Sequence, residues 1–113
     1  MSSTSEKAPK TYDAFVKEFP RLGAAWDAMR EAEEAGPFDE REQRLLKLAV
    51  AIGAGKQGPV HSAARKAKAA GVSDAEIRHV AAIAASTIGL PPAVAAWSWV
   101  VEELEKKNTP SSD

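Results

Sequence analysis

The chain reads as an all-α protein, a bundle of about five to six helices. Three observations predict this. Apolar residues recur every three or four positions along most of the chain, and no stretch alternates apolar and polar residues as a strand would. Gly and Pro mark the breaks, at Gly36-Pro37, from Gly53 to Pro59, and from Gly89 to Pro92. Two runs, Asp39-Glu40-Arg41-Glu42 and Ser73-Asp74-Ala75-Glu76, have the spacing of a capping box, in which a short polar residue and a Glu three positions on satisfy each other's free backbone N–H groups.

Taken in order, Tyr12, Phe15, Val16 and Phe19 have helical spacing from Thr11 until Pro20 interrupts them. Proline fits the first turn of a helix, where its missing N–H costs nothing, so a second helix runs from Pro20 to about Ala35 with Leu22, Ala25, Trp26 and Met29 on one face. The third, opened by Asp39, carries Leu45, Leu46, Leu48, Ala49 and Ile52 up to Gly53. The fourth is expected to start at Pro59 and run through Ala70 to Gly71. Ser73 launches the fifth, with Ile77, Val80, Ala81, Ile83, Ala84 and Ile88. The last spans about Pro92 to Lys106, with Val94, Trp97, Val101 and Leu104 spaced for burial; Trp97 reads as core and Trp99 as an oligomer contact or pocket wall. Residues 1–10 and 108–113 are polar and without period, so both are expected to be disordered tails around a single domain over 11–107.

The chain has 113 residues, enough for one domain with a modest core. Its helices are rich in alanine, which buries little area per residue, and this favours an obligate kind of homo-oligomer. Fifteen Lys and Arg against sixteen Asp and Glu leave a net charge of -1, so no basic excess points to nucleic acid. No apolar run approaches the roughly 20 residues of a membrane span. The Ser- and Lys-rich start lacks the apolar core of a secretion signal, and a cytoplasmic location is expected. Cysteine is absent, which removes disulfides, thiolate metal sites and thiol redox chemistry. Two histidines and no carboxylate cluster give no expectation of a metal.

The stretch Gly53-Ala54-Gly55-Lys56-Gln57-Gly58-Pro59-Val60-His61 is the sharpest break in the helical pattern. Leu45 to Gly55, His61-Ser62-Ala63-Ala64, Ala69 to Ile77 with its Ala-Gly-Val-Ser-Asp-Ala-Glu-Ile run, and Gly89-Leu90-Pro91 together resemble the carboxymuconolactone decarboxylase family, which includes the alkylhydroperoxidase D-like proteins. The similarity covers roughly residues 20–104. It implies an alkylhydroperoxidase D-like helical fold with a hairpin core, assembled as a trimer or hexamer. The redox branch of that family carries a Glu, a Cys-x-x-Cys pair and a His four residues past the second Cys. On this chain the Glu falls at Glu42, the cysteines at Ala54 and Gln57, and the His at His61. Without the sulfurs there is no peroxide-reducing nucleophile. Gly55-Lys56-Gln57 followed by His61 is more similar to the decarboxylase branch, from which Gly58-Pro59 departs.

The resemblance makes His61 and Glu42 the candidate catalytic residues, with Lys56 and Gln57 as candidate substrate-binding groups. Each has a plainer reading. His61 in the first turn of a helix would feel the positive end of the dipole, which favours a neutral imidazole able to accept or donate a proton. It also lines up with Arg65 and Lys68 as a surface histidine would. Glu42 is the return partner of Asp39 in a capping box, yet it shares a face with Leu45, Leu46, Ala49 and Ile52, where a carboxylate needs a partner such as His61. Lys56 and Arg65 can bind a substrate carboxylate, with solvated surface charge the commoner reading of both and the preferred one for Arg65. Gln57, at a cysteine position, would point into a pocket and can hydrogen-bond a ligand, and His79 reads as surface or subunit interface. The chemistry expected is that of a lyase or isomerase working on a small carboxylated or lactone substrate, with no metal or organic cofactor. The alternative is a non-catalytic helical oligomer that binds a small ligand or a partner protein.

Overall fold

A computed structural model describes residues 9–107, and all of its regular structure is helical. The expected tails lie outside these residues, apart from positions 9 and 10, which open the first helix. The described helices are α1 (Pro9–Glu18), α2 (Pro20–Glu34), α3 (Glu40–Ala54), α4 (Gln57–Ala69), α5 (Asp74–Ile88) and α6 (Leu90–Lys107). Two compact units divide the chain after Pro37.

The first unit is the α1–α2 hairpin. Pro20 sits in the first turn of α2 as expected, and the Phe15 and Phe19 rings meet tilted at the joint, centroids 5.5 Å apart. No residue of α2 is buried; Leu22, Trp26 and Met29 stay about half exposed.

The second unit pairs two hairpins, α3 with α4 and α5 with α6. The second hairpin lies across the first, α6 against α4 and α5 against α3. Leu48, Ile52, Val60, Val72, Ile77 and Val100 are its largest fully buried side chains, and Ala51, Ala64, Ala67, Ala81 and Ala96 fill the space between them. Both capping boxes form: Asp39 accepts from the Glu42 N–H at 2.8 Å while Glu42 accepts from the Asp39 N–H at 3.0 Å, and Ser73 with Glu76 repeats the pattern.

Three local expectations change. α4 opens at Gln57, with Lys56 as its cap residue, so Pro59 is the third helical residue and not the first. α6 opens at Leu90, two residues before Pro92. In both cases the prolines still fall where a helix has no internal use for the N–H, so the helix can start upstream of them. The buried face of α6 is Ala93, Ala96, Val100 and Leu104, while Val94 and Trp97 point outward, Trp97 at 46% exposure. The roles of the tryptophans are thus exchanged: Trp99 packs on the core and Trp97 does not. α6 is apolar nearly all round over 93–101, so one stripe could not be told from its neighbour by spacing.

Candidate functional site

The turn that precedes His61 is built by Gly55. Its φ of 69° is left-handed, and its N–H returns to the Ala51 and Ile52 carbonyls, closing α3. Lys56 is extended, and its carbonyl accepts the first helical bond of α4, from Val60 at 3.1 Å. The connection is therefore two residues long. Along α4, Gln57, His61 and Arg65 follow at intervals of four and share a face. Val60, Ala64 and Ala67 form the adjacent buried face.

With Gln57 as the first helical residue, His61 lies in the second turn, beyond the part of a helix where its end charge acts strongly. A carboxylate governs the imidazole more directly. His61 Nδ1 stands 2.9 Å from Oε1 of Glu103 on α6, and the His61 side chain is 16% exposed. Its Nε2 lies 3.6 Å from Oε1 of Glu102, whose side chain is mostly in solvent. Glu103 itself is 4% exposed, and among the described residues it is the one buried charged group. Arg65 Nη1 approaches its other oxygen at 3.5 Å, and Lys106 Nζ comes to 3.5 Å from Oε1. Burial pushes the Glu103 carboxyl up, but the His61 hydrogen bond and the Lys106 and Arg65 charges outweigh it and bring it below its ordinary value. Glu103 is a carboxylate at neutral pH.

The other expected residues fall as follows. Glu42 is exposed and its hydrogen bonds are those of the Asp39 cap. The structure does not bring it to His61. Of the face expected to be buried with it, Ile52 is buried and Leu45 packs on the core, but Leu46, Ala49 and Glu42 itself are exposed, so the argument from a buried carboxylate does not hold for it. Lys56 lines an open groove of about 360 Å³ with Leu46, Val50, Ala54 and Pro59. Gln57 is exposed one turn before His61, and His79 is exposed on α5. Arg65, expected at the surface, is half exposed yet bound to Glu103.

Sequence reasoning missed Glu103. The signal was present, since Glu103 follows Val100 by three and Ala96 by seven, which places a carboxylate on the buried stripe once the alanines are taken as its members.

Four helices in two hairpins, with an imidazole–carboxylate pair clasped between α4 and α6, define an all-α protein with a buried ionisable pair at the joint of its hairpins. The profile of the carboxymuconolactone decarboxylase family matches residues 20–102, most of the chain, and the chain belongs to that family. Searches of the curated proteins and of the solved structures returned no match. Among the described residues, no group of three or more His, Cys, Asp and Glu is arranged to hold a metal ion, and no helix is long and apolar enough to cross a membrane.

Proposed function

We propose that this chain is a cofactor-independent acid/base enzyme of the decarboxylase kind, a lyase or isomerase for a small carboxylated or lactone substrate. The observation that carries the reading is the half-buried His61 held 2.9 Å from a buried carboxylate. Decarboxylation breaks the bond between the carboxylate carbon and its neighbour, sends that electron pair into a conjugated carbonyl and releases carbon dioxide. The resulting dienolate needs its charge held and a proton returned to carbon. His61 supplies the proton, and Lys56 and Gln57, at the mouth of α4, hold the anionic substrate. Glu42 enters through the cap that fixes the start of α3. A thiol peroxidase activity is not expected of a chain without cysteine.

The site works, in this reading, within a homo-oligomer, a trimer or hexamer, whose copies cover the outward apolar side chains of the second unit. A second reading, a non-catalytic oligomer that binds a small ligand or partner, draws on the openness of the groove beside Lys56 and on the engagement of Glu42 in a cap.

The two are separated by assaying a panel of small carboxylated lactones for carbon dioxide release or isomerisation, with wild type and His61→Ala side by side. Turnover that falls at least a hundredfold in His61→Ala is expected, as for loss of a general acid/base. Turnover unchanged by the substitution would end the catalytic assignment of His61.

A further inference from the structure

We infer that Glu103 is the positioning residue of this site: it locks neutral His61 into the Nδ1–H tautomer, so that Nε2 is the nitrogen that exchanges protons. The role in proton exchange rests on the acid/base reading above, whereas the lock follows from the geometry alone. A carboxylate has lone pairs and no proton to give. A ring nitrogen 2.9 Å from it must therefore carry the hydrogen, and His61 Nδ1 stands at that distance from Glu103 Oε1. The carboxylate has little freedom to let go. It is buried on α6, and Arg65 from α4 and Lys106 from its own helix hold it by both oxygens.

The opposite nitrogen meets a different environment. Glu102 Oε1 lies 3.6 Å from Nε2, too far for a hydrogen bond, on a side chain that is 63% exposed. Neutral His61 thus turns a lone pair toward an exposed, displaceable group, while an imidazolium could point its second N–H there. One nitrogen is committed and the other is available. Orientation by a carboxylate that never itself takes the proton is the part a positioning residue plays in proton transfer.

The chain contains two histidines, and the exposed His79 is an internal reference. An imidazole free in water prefers the Nε2–H form, so the reverse form at His61 is diagnostic. Long-range proton–nitrogen spectra of the ¹⁵N-labelled chain, recorded at alkaline pH, are expected to show His61 mainly as Nδ1–H and His79 mainly as Nε2–H. In Glu103→Ala, with helical content checked by circular dichroism, His61 should reverse to mainly Nε2–H while His79 stays as it was. A wild-type His61 in the Nε2–H form would overturn the inference, as would a folded Glu103→Ala that keeps Nδ1–H. Should that variant not fold, the wild-type tautomer alone decides. An intact lock together with turnover indifferent to His61→Ala would remove the enzyme reading and leave the positioning by Glu103 standing.

Discussion

Glu76 does two jobs at the start of α5: it accepts from the Ser73 N–H in the cap, and its other oxygen takes Arg41 of α3. The Ser73 backbone bond, followed by the Arg41 and Ser73 side chains, lowers its carboxyl from 4.5 to about 2. A carboxyl lowered in the folded state stabilises that state fully above the unfolded value and loses the contribution as pH falls through the folded one. Wild type should therefore unfold at higher urea than Glu76→Gln near neutral pH, and the gap should close between pH 4.5 and about 2. A gap that persists unchanged at the acid end would show that the charge of Glu76 plays no part. The same scale shows what was legible in the site. His61 is singled out by its spacing in the family resemblance, whereas periodicity alone reads it as a surface histidine beside Arg65 and Lys68. Its partner is not singled out, because Glu103 sits in a run of charged residues at the end of α6 that reads as a solvated face until Ala93 and Ala96 are placed inside. Glu42 was legible as a cap residue, and that is the contact it makes.

Among the elements, the starts at Asp39 and Ser73 are legible in the sequence, since the capping residues are themselves the boundary. Lys56 and Gly89 precede α4 and α6 without a side-chain cap, so the prolines, two residues inside each helix, are the boundary signal there and point too far downstream. The turn between α5 and α6 is the tighter constraint. Gly89 has φ 95° and ψ 157°, a region open in practice to glycine alone. Its N–H still caps α5 through Ala85, and its carbonyl accepts the Ala93 N–H at 3.2 Å, so one residue closes one helix and opens the next. Gly89→Ala should cost about 1–3 kcal/mol of unfolding free energy, the strain of holding a β-carbon there. Urea denaturation of the variant measures it directly, and a midpoint equal to wild type would mean the hairpin turn can relax. Because α6 carries Glu103, any rotation of this turn also moves the partner of His61.

At the scale of the whole molecule, the second unit keeps its small side chains inside and several of its large ones outside. Ala64, Ala67, Ala81 and Ala96 are buried, while Leu46, Ile83, Val94 and Trp97 are half exposed or more and Val50 is 71% exposed. Exposed apolar residues on this scale are what an assembly covers. Trp97→Glu is expected to shift the sedimenting species from the oligomer toward single chains with helical content retained. A wild-type chain that sediments as a monomer would remove the assembly from the proposal. The alanine interior has a further consequence. Burial contributes about 25 cal/mol per Å² of apolar area and an alanine brings little area, so the proposed assembly gains further burial between chains. In the proposed assembly folding and encounter are one equilibrium, and the folded fraction depends on how much protein is present. For the proposed assembly dilution acts as urea acts on other proteins: the melting temperature is expected to climb with concentration, which scanning calorimetry over a dilution series checks.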